Sequence, residues 1–193
     1  MKRKYGFTLV ELLIVLAVIA ALIATITPLA LNAIRRAKAS QVAQNLRSLA
    51  SALENAAYVN DLVTADGADK GKIAGARGEA IVMGDLARDI DMGNYAVTYL
   101  INAPDVTEVL DDDEEVTGYE FSGNPRPGTI FVWVYSTADA DLEEVQKIMR
   151  EVKEECSVEP NAAEGSISIL VEMNDDLDID DANFVYEFYF NIY

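Results

Sequence analysis

Carboxylates dominate the reactive side chains of this sequence: 33 Asp and Glu stand against 15 Lys and Arg, with no histidine and one cysteine. The lack of histidine removes Ser-His-Asp and Cys-His catalysis, His-ligated zinc and the commonest general base. Cys156 alone makes neither an internal disulfide nor a cysteine-rich metal site. Chemistry must therefore come from acids in informative positions. One set is Asp176-Leu-Asp178-Ile-Asp180, followed by Glu187, which matches the first, third, fifth and twelfth oxygen positions of a calcium loop. Asp181 replaces the turn-forming glycine at the sixth position, and no helices are predicted on either side. In a strand over Phe184 to Tyr193, Glu187 would project opposite Phe184, Tyr186 and Phe188 and could face solvent, so a solvated acidic turn is the preferred reading and calcium the alternative. The run Asp111-Asp112-Asp113-Glu114-Glu115 reads as a solvated loop, because five consecutive carboxylates cannot all turn to one ion. No pair among the 33 acids is singled out for acid–base work, so an enzyme is not expected.

The second informative acid is Glu11. It lies within Phe7 to Ile26, where only Thr8, Glu11 and Thr25 are not apolar, directly after the basic start Met1-Lys-Arg-Lys-Tyr-Gly6. As a helix this run is roughly 30 Å long, the thickness of a hydrocarbon core. It is longer than the apolar region of an ordinary secretory signal, and the first A-x-A triplet, Ala37-Lys38-Ala39, follows two further charges, Arg35 and Arg36. A glutamate in a spanning helix costs about 2.5–3.5 kcal/mol near the centre, so it calls for a positive partner. A plain single-pass anchor needs no such residue.

Lys-Arg-Lys-Tyr-Gly6 followed by Phe7-Thr-Leu-Val-Glu11-Leu-Leu-Ile-Val-Leu closely resembles the class III signal of type IV prepilins and pseudopilins. The resemblance implies that a membrane-embedded prepilin peptidase cuts after Gly6 and methylates the new amine of Phe7. That amine, with an unperturbed pKa of about 7.7 to 8.0, lies four residues before Glu11. Two pairings of Glu11 stay open: with the amine of its own chain at i and i+4, or, as the family implies, with the amine of a neighbouring subunit in a filament. The resemblance further implies a homo-polymer, a pilus assembly platform with its ATPase, and residence in the bacterial inner membrane before export to a surface filament or a periplasmic pseudopilus. A pilin is the first expectation and a pseudopilin of a type II secretion system the second. A monomeric, membrane-anchored, calcium-dependent binding protein is the alternative of another class.

The elements that position these residues follow from periodicity. Ala17, Ala20, Ala21 and Ala24 put small side chains on one helix surface, which permits close helix approach. Pro28 should kink or locally melt the helix. Beyond it, Val42, Leu46, Leu49, Leu53 and Ala56 form an apolar stripe at 4-3-4-3 spacing, so residues 7–59 read as one helix of roughly 80 Å. Residues 60–80 read as a Gly-rich linker, since Gly67, Gly71, Gly75 and Gly78 interrupt any periodicity; the Walker spacing is not met. Residues 81–193 read as an acidic α+β head. Its strands are expected at Tyr95–Ile101, Thr129–Ser136, Ser166–Met173 and Phe184–Tyr193, with a helix over Asp139–Cys156 that ends on a buried Cys156 whose thiol Glu154 and Glu155 would raise. The fold class is thus a long N-terminal helix packed on a small antiparallel sheet, preceded by a leader at 1–6. Residues 100–193 hold 24 of the 33 acids and only 4 of the 15 bases, a balance that repels phosphate backbones and argues against nucleic-acid binding.

Overall fold

The structure is a computed structural model that describes residues 7–86, 90–160, 169–174 and 177–192. The long helix α1 spans Leu9–Asn60. Thr8 caps it, accepting a hydrogen bond from the Glu11 amide, while the Glu11 side chain returns to the Thr8 backbone, a reciprocal capping box. The helix continues through Pro28 without interruption, so the expected local melting is not seen. Proline removes a single amide donor, and the hydroxyls beside it bind back to the preceding turn: Thr25 Oγ1 donates to the Leu22 carbonyl at 2.9 Å and Thr27 Oγ1 to the Ile23 carbonyl at 2.7 Å.

Two halves of α1 behave differently. Every residue from 7 to 38 is exposed, and this is the one helix among the described residues long and apolar enough to cross a membrane. From Ala39 on, Val42, Ala43, Leu46, Leu49, Ala50, Leu53 and Ala57 are buried. The stripe leaves the helix through Ala57, four residues after Leu53, and Ala56 is only partly covered. Each fully buried leucine contributes about 1.5–3 kcal/mol by removal from water.

What the stripe packs on is an antiparallel sheet of order β5-β7-β4-β1-β6, formed by β1 (Tyr95–Ile101), β4 (Thr129–Ser136), β5 (Val152–Lys153), β6 (Ile169–Met173) and β7 (Phe184–Asn191). Strands β1 and β4 are buried along their whole length, so both faces of the sheet are covered. Tyr95, Val97, Tyr99, Ile101, Val132 and Val134 meet α1. Phe131, Trp133 and Tyr135 point to the other side, beneath a hairpin of β2 (Pro104–Leu110) and β3 (Val116–Pro125). Phe121 stands edge-on to Phe131, with ring centroids 5.0 Å apart, and Tyr119 does the same at 5.3 Å. The hairpin was not expected from sequence, because β2 is mostly exposed and shows little apolar alternation. The acidic run Asp111–Glu115 is its solvated turn.

The expected helix Asp139–Cys156 is corrected. Only α3 (Leu142–Gln146) is helical, capped by Asp141, and the chain then turns and enters the sheet as β5. The edge of β7 supplies the reason: Val152 pairs with Tyr186 and Lys153 with Val185, hydrogen bonding that a continued helix would forgo. Gln146 holds the turn by donating from Nε2 to the Val152 carbonyl at 3.0 Å, and Ile148 is exposed. Of the expected strand Ser166–Met173, residues 166–168 lie outside the described residues, and Tyr193 does likewise at the end of β7.

The Gly-rich segment 60–80 is held against the head. Leu62 bridges Ile73, Ala74 bridges Ala80, and Ile73 is completely buried beneath the end of α1 and Tyr99. The short α2 (Met83–Leu86) follows and adds Met83 and Leu86 to the same core. Leu49→Ala should lower the stability of the head by about 2–5 kcal/mol, whereas Leu22→Ala, on the exposed half, should leave it unchanged. Denaturant unfolding of the full chain in detergent, followed by Trp133 fluorescence, checks both.

Candidate functional site

The N-terminal candidates lie along one helix end. Gly6 is outside the described residues, and Phe7 precedes the helix and is exposed. Glu11 sits in the first turn, where a carboxylate is favoured by the helix dipole. Its Oε2 accepts from the Thr8 amide at 2.8 Å and from the Thr8 hydroxyl at 2.8 Å, and Thr8 Oγ1 accepts from the Glu11 amide at 3.2 Å. Pro28 is one turn beyond Ala24, within the bare half of the helix. Ala17, Ala20, Ala21 and Ala24 are all exposed there.

Toward the head, bases on α1 tie the helix to α3 and the residues flanking it. Lys38 Nζ reaches Asp139 Oδ2 at 2.8 Å, Arg36 Nε lies 3.7 Å from Glu144, and Arg47 donates to the Ile148 carbonyl at 3.2 Å. The Lys38 ammonium holds the Asp139 carboxyl below the usual range, but both groups are exposed, so these pairs orient more than they stabilise.

The C-terminal acids part company. Asp176 lies outside the described residues. Asp178 is exposed and caps a short 3-10 turn, Ile179–Asp181, by accepting from the Asp180 amide at 3.1 Å; Asp180 is exposed as well. Glu187 is in β7 opposite Phe184, Tyr186 and Phe188, as strand alternation requires, yet it is buried, with 1% of its surface exposed. The expectation that it could face solvent is overturned because the second face of the sheet is itself covered. Its Oε1 accepts from the Ser157 amide at 2.8 Å and more weakly from the Val158 amide at 3.4 Å; Oε2 accepts from Lys153 Nζ at 3.2 Å and Ser157 Oγ at 2.5 Å. Lys153 also contacts Ser157 Oγ and stands 5.8 Å from the centre of the Tyr119 ring. Among the described residues, no three acidic or cysteine side chains are gathered to hold a metal ion, and the cation beside Glu187 is a lysine.

This arrangement ties the centre of β7 to the 153–158 segment. Trp133 joins it, donating from Nε1 to the Val158 carbonyl at 2.8 Å. Sequence reasoning missed the arrangement, since nothing in the spacing of Lys153, Ser157 and Glu187 marks them as partners. Cys156 packs beneath the second sheet face with its Sγ 3.6 Å from Tyr135 Oη, rather than at the end of a helix face. Burial, more than any neighbouring acid, raises its thiol; Glu187 and Glu159 add to the effect, in place of the expected Glu154 and Glu155.

The family described as the prokaryotic N-terminal methylation motif matches residues 1–27. The chain carries the type IV pilin and pseudopilin signature. Neither a curated protein nor a solved structure matches the chain, so the reading of its head rests on its own residues. The observed layout, a long N-terminal helix followed by a small antiparallel sheet, is consistent with a type IV pilin. For a pilin-type precursor the signature implies processing by a prepilin peptidase and polymerisation with other pilin subunits.

Glu187→Gln should cost toward the lower end of the about 3–5 kcal/mol that loss of one partner of a buried pair carries, since Lys153 keeps some access to water. Thermal unfolding of the variant beside Lys153→Met checks this, with non-additivity in the double variant as the sign of direct coupling. Alkylation of native Cys156 should be slower at pH 8 than that of a free thiol, and should approach the free rate on denaturation, because the raised thiol leaves less thiolate at a given pH.

Proposed function

We propose that this chain is the precursor of a structural filament subunit, cut after Gly6, methylated on Phe7, and polymerised through the first half of α1. The observation that carries the reading is the division of that helix. Residues 7–38 are exposed and overwhelmingly apolar, while the second half is fixed on the head. Before assembly a membrane accommodates the bare half, with the basic leader in the cytoplasm. After extraction, only the apolar helices of other subunits can cover it, with small residues Ala17, Ala21 and Ala24 allowing close approach. The heads, which carry most of the chain's acids, then lie on the outside of the filament, where solvent and counterions screen their repulsion.

Pairing of Glu11 with the methylated amine of a neighbour fits this scheme better than pairing within the chain. In the uncleaved chain Phe7 lies before the capping residue and is not in the helix, so it lacks the register of a helical i, i+4 pair. Pro28 would serve as the place where the helix yields under load. A surface pilus is the first reading and a type II pseudopilus the second, with the assembly platform and its ATPase as the machinery in either case. For a monomeric calcium-dependent binding protein the supporting acid spacing remains, but Glu187, its twelfth-position ligand, already has four protein donors.

Material sheared from expressing cells should sediment as filament and yield an N-terminal peptide beginning at methylated Phe7. The same terminus confined to the membrane fraction would favour the pseudopilus, and an intact Met1 leader would return the plain anchor to first place. Glu11→Ala should leave a stable, inserted and processed protein with strongly reduced filament yield; normal yield would remove the intersubunit pairing. Gly6→Leu should accumulate the uncleaved precursor.

A further inference from the structure

The two oxygens of the Glu11 carboxylate have unequal surroundings. Oε2 is engaged twice by Thr8, through the backbone amide and the hydroxyl, each at 2.8 Å. Among the described residues no donor reaches Oε1. The Thr8 hydroxyl works in both directions, since it also accepts from the Glu11 amide at 3.2 Å. Of the three residues in Phe7–Ile26 that are not apolar, two are therefore bound to each other, and the third, Thr25, donates its hydroxyl to the Leu22 carbonyl.

We propose that Thr8 is the positioning residue for Glu11: it holds Oε2 within the chain's own first turn and leaves Oε1 for the terminal amine of a second copy. The inference rests on the filament reading above and adds a physical role for Thr8. A carboxylate in lipid is costly when unpaired, and a single subunit in the membrane has no neighbour to neutralise it. Two hydrogen bonds from Thr8 satisfy half of the carboxylate before assembly. They also restrict its rotamers, so the second oxygen meets an incoming cation with the side chain already ordered. The amine of a neighbour is then added to the capping box and does not compete with it. Serine can reproduce every one of these contacts, and valine, nearly the same shape, loses the hydroxyl bond in both directions while keeping the backbone amide.

The test compares Thr8→Val, Thr8→Ser, Glu11→Ala and the double variant Thr8→Val/Glu11→Ala in expressing cells. Two quantities are read: processed N-terminus in the membrane, by peptide mass, and sheared filament. Thr8→Val should be cleaved normally and yield at least about tenfold less filament, a factor that corresponds to about 1.4 kcal/mol. Thr8→Ser should recover most of the yield, and the double variant should match Glu11→Ala. Wild-type yield from Thr8→Val with a defective Glu11→Ala would overturn the role of Thr8 and leave the filament reading standing. Wild-type yield from Glu11→Ala would remove the pairing itself. A Thr8→Val chain that stays uncleaved would assign Thr8 to recognition by the peptidase and overturn the proposal.

Discussion

One helix has to satisfy two environments, and the rest of the molecule is arranged around that constraint. From Phe7 to Ile26 the chain is apolar except at Thr8, Glu11 and Thr25, and no part of the head covers it. Over the second half of α1 the apolar residues narrow to a stripe, and the stripe is buried on the sheet. The helix remains continuous between the two because backbone hydrogen bonding does not depend on what surrounds it, and even Pro28 removes only one donor. A rigid rod results, with an uncovered end for membrane or filament and a docked end for the head. The ion pairs from Arg36 to Glu144 of α3 and from Lys38 to Asp139 just before it stand at the change-over, where they set how the head meets the rod.

The head solves a problem of its own. It has one cysteine and so cannot close its C-terminal region with a disulfide. Instead both faces of the sheet are buried, one by α1 and the other by the β2–β3 hairpin and the segments around Cys156 and Leu177. The Glu187 carboxylate lies within the second layer, between β7 and the 153–158 segment, and accepts from two backbone amides, a hydroxyl and an ammonium. A buried charge is tolerable only when its acceptor capacity is filled in this way. The same residue that supplied the last position of a calcium-loop pattern is therefore a link inside the sheet's outer layer, with a lysine as its cation.

The features legible in the amino-acid sequence have one thing in common: their signal is local. The basic start, the Gly6-Phe7 junction, Glu11 within the apolar run and the later stripe all lie on one continuous segment, where composition and period suffice. Strands β1 and β4 are equally plain, as short apolar runs bounded by turn residues. The hairpin is not, because its strands are half solvent-exposed and their apolar residues matter only against Phe131 and Trp133. The helix over Asp139–Cys156 fails for a related reason. Its periodicity is real, but residues 152–153 gain more as partners of β7 than as a further helical turn.

By itself, then, the sequence determined the long helix, its division into a bare and a docked half, the acidic character of the head and the signature at its start, because each is written in neighbouring residues. Tertiary structure decided which face of the last strand is buried, where Lys153 and Ser157 meet Glu187, and how the 60–80 segment folds back to bury Ile73. Those outcomes depend on what lies across the sheet from a residue, often tens of positions away in the chain, and alternation along a strand says which side a residue takes without saying what is waiting there.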